Sequence, residues 1–98
     1  MPEVTIVYWR DIPAQIIVGR GRGGIKQPLA GRFEQAIDRA AMRAGATAGD
    51  AYLADWRRAA PYAVEGTPQA VAAAEAARLD AEYDPARLRA LIANDGRA

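Results

Sequence analysis

The sequence predicts an α+β protein in which a small antiparallel sheet of about three strands packs against helices, in the order β-β-α-β-α-α. Three observations support this prediction. Residues 4–9 form a dense run of β-branched and aromatic side chains, which favours a strand. From Gly31 onward, apolar residues recur at three- and four-residue spacing, as on one face of a helix. Two Pro residues, Pro68 and Pro85, each follow a good N-cap residue and predict helix starts.

The first two strands are predicted to form a hairpin. Residues 4–9 carry apolar side chains on both faces, which indicates a strand that is central in its sheet or covered on both sides. Pro13 interrupts the pattern, and residues 15–18 then predict a second strand. A parallel crossover needs about a dozen residues or more. The short connection therefore predicts an antiparallel pair.

The most regular helical pattern lies between Gly31 and Gly45. Phe33, Ile37 and Ala40 belong to one apolar stripe, and Gly45 is a good C-terminal stop. Upstream, residues 24–28 are compatible with extended structure, because Pro28 disfavours helix in the residue before it.

Residues 50–58 fit two structures. Tyr52, Ala54 and Trp56 alternate as they would in a strand, whereas Tyr52 and Trp56 would also share a helical face after Asp50 as N-cap. We favour the strand, because two large aromatic side chains at a period of two suit a sheet face covered by the preceding helix.

Two further helices are predicted after this segment. They begin at Pro68 and Pro85, with Thr67 and Asp84 as the N-caps. We expect the last residues of the chain, 93–98, to fray.

The composition supports one domain over residues 1–98 and excludes several kinds of chemistry. Of the hydrophobic residues, 24 are alanine, which leaves 26 larger side chains for a core. That is too few for a second domain. The chain has no cysteine, histidine or serine, so thiolate chemistry, imidazole acid–base catalysis and serine acyl-enzymes are excluded. We expect no enzyme activity, no metal site and no cofactor.

Charge and hydropathy indicate a cytoplasmic protein with no membrane segment. The formal net charge is +1, far from the single-sign character of a dedicated nucleic-acid-binding tail. No apolar run approaches the roughly 20 residues that span a bilayer. The first residues also lack the basic and apolar regions of a signal peptide.

A glycine-rich basic loop follows the second predicted strand. The spacing from Gly19 to Gly24 satisfies the GxGxxG pattern, but a dinucleotide site needs that loop to open directly into a helix. Residues 25–28 intervene here, so a hairpin loop is the better interpretation. Three basic residues lie in or beside the loop: Arg20, Arg22 and Lys26. A nucleic-acid-binding module that uses them is an alternative function.

Two pairs of carboxylates have helical spacing. Glu34 and Asp38 are four residues apart, as are Asp80 and Asp84. A catalytic pair needs an environment that separates the two pKa values, whereas these residues lie on predicted polar faces. We interpret them as solvated surface.

Arginine and aromatic side chains remain the groups best suited to recognition. Trp, Tyr and Arg dominate the binding energy of protein interfaces, and both tryptophans are flanked by Arg and Asp. The alternative is that the indoles are core residues at strand ends. The candidate partner surface comprises Trp9, Arg10, Asp11, Gln15, Trp56, Arg57 and Arg58.

A family resemblance adds to this interpretation. Residues 4–18, VTIVYWRDIPAQIIV, and the matching stretches at 32–41, 52–57 and 82–88 resemble the bacterial "virulence factor" domain family, which includes conserved virulence factor C proteins. The resemblance implies a small, stand-alone cytoplasmic accessory domain without assigned catalysis. It supplies no catalytic position that could be transferred to this chain.

We therefore expect a non-catalytic accessory or interaction domain that binds a protein partner through the aromatic and arginine surface. Members of the family are also associated with genes for folate- and corrinoid-linked methyl transfer. That association implies a second alternative, an accessory role beside those enzymes.

Overall fold

A computed structural model describes residues 2–19, 24–47 and 49–98. In these residues the chain forms one antiparallel sheet and four helices. The strands are β1 (Glu3–Trp9), β2 (Ile12–Val18), β3 (Ile25–Pro28), β4 (Trp56–Arg58) and β5 (Tyr62–Ala63). The helices are α1 (Gly31–Ala44), α2 (Gly49–Ala54), α3 (Pro68–Glu82) and α4 (Pro85–Ala93). The predicted α+β class is confirmed, and the sheet has more strands than the three expected.

β1 is the central strand of the sheet. It pairs with β2 in the predicted hairpin, and the sheet order is β3-β2-β1-β4 with every pair antiparallel. β5 pairs with β1 on the same edge as β4, because Val4 lies opposite Tyr62 while Val7 lies opposite Arg58. Both edges of β1 are therefore hydrogen-bonded, which confirms the prediction that it is central in its sheet.

A β-bulge divides the core into two clusters. The register between β1 and β2 shifts between Val7 and Tyr8, and a bulge reverses the face to which later residues point. Ile16 therefore packs in the cluster that faces α3, with Val4, Ile6 and Val18. Ile12 packs instead with Trp9 and Phe33 among α1 and α4, although it is only four residues from Ile16.

The capping residues predicted for α1, α3 and α4 are confirmed. Gly45 ends α1 with a φ of 73°, a left-handed conformation that glycine adopts without strain. The Thr67 hydroxyl accepts a hydrogen bond from the Ala70 N–H (3.2 Å), and the Asp84 carboxylate accepts one from the Arg87 N–H (2.8 Å).

The preference for a strand over residues 50–58 is wrong for its first part. Residues 49–54 form α2, and only Trp56–Arg58 pair with β1 as β4. The reason lies outside the local pattern. The Trp9 indole N–H donates to the Tyr52 carbonyl (2.9 Å), and the Arg10 N–H donates to the Asp55 carbonyl (3.0 Å). These bonds hold the end of α2 against the hairpin, so the ladder begins only at Trp56.

The last residues, for which fraying is expected, form hydrogen bonds with α4 and with the turn between β1 and β2. The Gly96 N–H donates to the Leu91 carbonyl (2.7 Å), and the Gly96 carbonyl accepts from the Asp11 N–H (2.8 Å). The Ala98 N–H donates to the Asp11 carboxylate (2.7 Å). These contacts fix the end of the chain to the turn between β1 and β2.

Candidate functional site

Trp9, the first residue of the predicted partner surface, lies in the core. Its side chain has 0% exposure, and its indole stacks on the Tyr52 ring with centroids 6.0 Å apart. The prediction that Trp9 contributes to a surface is therefore corrected. Trp9 ends β1 at a point where α2 covers it, since its indole N–H donates to the Tyr52 carbonyl.

Arg10 also has a structural role. Its Nε pairs with the Asp55 carboxylate (3.0 Å), and its Nη1 donates to the Asp95 carbonyl (2.7 Å). The guanidinium lies 4.8 Å from the centre of the Trp9 ring, and its side chain is only 13% exposed. Arg10 therefore joins the β1–β2 turn to two distant segments and covers the buried indole.

The remaining predicted residues separate into two grooves. Gln15 and Trp56 line a groove of about 690 Å³, which we call the acidic groove. Asp11 and Arg57 line a smaller groove of about 260 Å³, which we call the arginine groove. Arg58 is exposed on β4 and lines neither of them.

The acidic groove has an aromatic wall. Tyr52 and Trp56 both line it, and their rings meet edge to face with centroids 5.9 Å apart. Tyr52 is held in turn by the buried ring of Trp9. The half-buried Trp56 thus packs on a ring that is itself fixed against the core, which limits the rotamer freedom that a partner would otherwise have to restrict.

Two carboxylates from α1 line the same groove. Glu34 and Asp38 are exposed, and neither forms an ion pair or a hydrogen bond in the described part of the chain. Like charges four residues apart destabilise a helix by about 0.2–0.5 kcal/mol. The sequence correctly predicts that both are exposed, but spacing within one helix could not show that they face Trp56.

The arginine groove contains two stacked pairs. The guanidinium of Arg57 lies 4.5 Å from the centre of the Tyr8 ring, and that of Arg87 lies 4.1 Å from the centre of the Tyr83 ring. Arg57 also pairs with Asp11 (3.2 Å). Tyr8, Tyr83 and Arg87 were not singled out by the sequence, because they come together only through the contact of β1 with the junction of α3 and α4.

The basic loop is only partly described. Arg20 and Arg22 lie outside the described residues, and Lys26 is exposed on β3. Gly24 leads into β3 instead of a helix. The GxGxxG pattern therefore lacks the helix that a dinucleotide site requires.

A buried ionic cluster outside the grooves attaches β5 to α3. Glu75 is 9% exposed and accepts hydrogen bonds from the Tyr62 hydroxyl and from Arg78 Nε, both at 2.6 Å. Burial opposes its ionisation, but these hydrogen bonds and the charge of Arg78 lower the pKa of Glu75 below its usual value. Because both oxygens of Glu75 are satisfied, we interpret the cluster as structural.

Tyr62 is expected to ionise near pH 12. Burial and its hydrogen bond to Glu75 raise its pKa from 10.0 to about 12. Because the folded pKa is the higher one, the stabilisation is fully present below pH 10 and is lost as the pH rises towards 12. Absorbance titration of tyrosinate in the wild-type protein and in Tyr62→Phe measures this. If the tyrosine that is missing from the Tyr62→Phe titration is one that ionises near pH 10 in the wild type, the predicted shift is refuted.

The fold and the two grooves define the chain as a small α+β domain with two open grooves and a buried aromatic core. A family model described as "Virulence factor" matches residues 7–92. The chain belongs to this family. No curated protein and no solved structure matches it. No helix in residues 2–19, 24–47 and 49–98 is long and apolar enough to cross a membrane.

Proposed function

We propose that this chain is a non-catalytic, cytoplasmic interaction domain and that it binds a segment of a protein partner in the acidic groove. One observation carries the proposal. An open groove of about 690 Å³ combines the aromatic wall of Tyr52 and Trp56 with the unpaired carboxylates of Glu34 and Asp38. Buried aromatic anchors beside polar groups are typical of the centres of protein interfaces.

The chemistry of the groove favours a partner segment that presents an arginine or a lysine. A guanidinium can stack on an indole and donate two parallel hydrogen bonds to a carboxylate. The groove offers both partners, and the side-chain amide of Gln15 adds a further polar contact on the β2 side. Arginine satisfies this arrangement better than lysine, because its planar group both stacks and forms paired hydrogen bonds.

Helix stability gives independent support. Asp38 lies beyond the first turn of α1, where the helix dipole no longer favours a negative charge. Its repulsion from Glu34 is therefore not offset within the helix. A local conflict that costs stability is expected where a residue serves binding.

A titration with two small probes tests the proposal. Acetyl-arginine amide and acetyl-citrulline amide differ in charge but hardly in shape. We expect the arginine probe to shift the indole N–H resonance of Trp56 and to bind about fivefold more tightly than the citrulline probe, since a cation–π contact contributes about 1 kcal/mol. Equal affinity of the two probes, or no shift at Trp56, would contradict the proposed groove chemistry.

Identical substitutions at two glutamates provide the control. Glu34→Gln removes a carboxylate from the groove, whereas Glu65→Gln removes an exposed one outside it. Only the first should weaken binding of the arginine probe. Asp38→Asn should also weaken binding while leaving the unfolding free energy equal or higher by up to about 0.5 kcal/mol. That combination would distinguish a binding residue from a structural one.

A further inference from the structure

One face of the sheet is partly open. Ile6 and Ile16 belong to the cluster that packs on α3, so their neighbours along β1 and β2 point to the opposite face. Two of these neighbours, Val7 and Ile17, are partly exposed and belong to neither core cluster of the described residues. On that side, the cluster formed with α1 and α4 includes the end of β1 at Trp9. We call the remaining surface the open sheet face, and it comprises Thr5, Val7, Gln15, Ile17, Lys26 and Arg58.

A row of opposed residues joins the open sheet face to the acidic groove. Val7 lies opposite Gln15 on β2 and opposite Arg58 on β4. Residues that lie directly opposite one another in adjacent strands point to the same face. Gln15 also lines the acidic groove. Arg58 and the groove therefore open on the same side of the sheet, and Val7 lies between Arg58 and Gln15.

This side of the molecule carries charges of both signs that are not paired within the chain. Lys26 and Arg58 are exposed and form no ion pair among residues 2–19, 24–47 and 49–98. Glu34 and Asp38 in the acidic groove are likewise without an ion pair in those ranges. One chain thus presents both halves of an ionic contact that it does not make itself. In a two-fold dimer the same patch of each copy faces the other, so such a patch must be complementary to itself.

The register of the strands allows a two-fold arrangement that pairs these charges. Adjacent strands lie about 4.8 Å apart, so Arg58 and Gln15 are at similar distances on either side of Val7. A two-fold axis beside Val7 and parallel to β1 places Arg58 of one copy over Gln15 of the other, where the acidic groove lies. Symmetry forms the same contact a second time. The two Val7 side chains then meet at the axis.

We propose that the partner of the acidic groove is a second copy of this chain, which inserts Arg58. This inference rests on the proposed function, because Arg58 of the second copy is the arginine that the groove accepts. Its guanidinium stacks on Trp56 and donates to Glu34 or Asp38. Burial of Val7 against its symmetry mate adds an apolar centre to the interface. The formal net charge of +1 per chain adds little repulsion between copies.

Sedimentation equilibrium of the whole chain over a wide range of concentrations tests the dimer. We expect a reversible equilibrium between monomer and dimer in low salt. The dissociation constant should rise with added sodium chloride, because salt screens the contacts of Arg58 with the acidic groove.

A charge exchange identifies the contact. Arg58→Glu and Glu34→Arg, made separately, should each weaken dimerisation by roughly tenfold or more, because the dimer loses the contact twice and gains repulsion. The double variant should recover most of the loss, since both exchanged residues meet across each half of the symmetric interface. Recovery of this kind cannot come from damage to the fold. Circular dichroism checks that each variant is folded.

Arg89→Glu is the matched control. It makes the same change at an exposed arginine of α4 that does not line the acidic groove, and it should leave the dissociation constant of the dimer unchanged. The proposal is overturned if the wild type stays monomeric, if Arg58→Glu and Arg89→Glu weaken the dimer equally, or if the double variant recovers nothing. A monomer whose Trp56 resonance still responds to acetyl-arginine amide would exclude the second copy and leave the groove to another protein. A monomer without that response would contradict the proposed function as well.

Discussion

Replacing Trp9 with alanine is expected to lower the free energy of unfolding by about 3–5 kcal/mol, the range for deleting a large aromatic side chain from a core. The side chain has 0% exposure and packs in the cluster that also contains Ile12 and Phe33. Its indole N–H donates to the Tyr52 carbonyl. The substitution therefore leaves a cavity and also removes the bond that holds α2 to the hairpin.

Chemical denaturation monitored by circular dichroism measures this loss. Trp56→Ala is the control, because the Trp56 side chain is only half-buried and makes no hydrogen bond through its indole within the described residues. Trp56→Ala should lower the free energy of unfolding clearly less than Trp9→Ala does. A loss at Trp9 that is no greater than at Trp56 would show that Trp9 is not the centre of the core.

Replacing Gly96 with alanine is the second substitution with a large expected effect. A Cβ atom at this position would lie 2.9 Å from Cζ3 of Trp9 and 3.5 Å from Cβ of Ala40. The backbone φ is +86°, which costs a residue with a side chain about 1–2 kcal/mol. Overpacking against a fully buried indole adds about 1–3 kcal/mol. We expect a total loss of roughly 2–5 kcal/mol in unfolding free energy.

Gly45 provides the matched control for Gly96. Its φ is also positive, at +73°, but nothing lies within 4 Å of a Cβ built on it. Gly45→Ala should therefore lower the free energy of unfolding only by the cost of a positive φ at alanine, about 1–2 kcal/mol. Equal losses at the two glycines, measured by denaturation under the same conditions, would mean that residue 96 does not press on Trp9.

The parts of the fold that the sequence predicts correctly depend on contacts between neighbours in the chain. The β1–β2 hairpin follows from a short connection between two β-branched runs. Helix α1 follows from its apolar stripe and Gly45, and α3 and α4 follow from Thr67 and Asp84 acting as caps. Each of these elements is determined by residues close together in the chain, so the sequence pattern alone predicts it.

The parts that the sequence does not predict depend on distant contacts. Residues 49–54 become helical next to a strand because Trp9 binds the Tyr52 carbonyl. The final turn meets the β1–β2 turn through the hydrogen bond from the Asp11 N–H to the Gly96 carbonyl. Such tertiary contacts override local preference, and no periodicity within either segment could have indicated them.

The same distinction applies to the candidate sites. The residue types of the partner surface, Trp, Arg and Asp, are present, yet Trp9 lies in the core, Arg10 covers it, and only Gln15, Trp56, Asp11 and Arg57 line a groove. Glu34 and Asp38 read as ordinary surface in the sequence. Only the packing of α1 on β2 brings them to the groove that Trp56 also lines.

Affinity capture from the native host is the measurement that tests the central claim most directly. Wild-type protein, Glu34→Gln and Glu65→Gln would be immobilised at equal density, and retained proteins identified by mass spectrometry. We predict that wild-type protein and Glu65→Gln retain the same partner and that Glu34→Gln retains much less of it. A partner enzyme of folate- or corrinoid-linked methyl transfer would give the interaction domain that specific accessory role. Recovery of the same proteins in equal amounts on all three variants, or of none on the wild type, would contradict binding through the acidic groove.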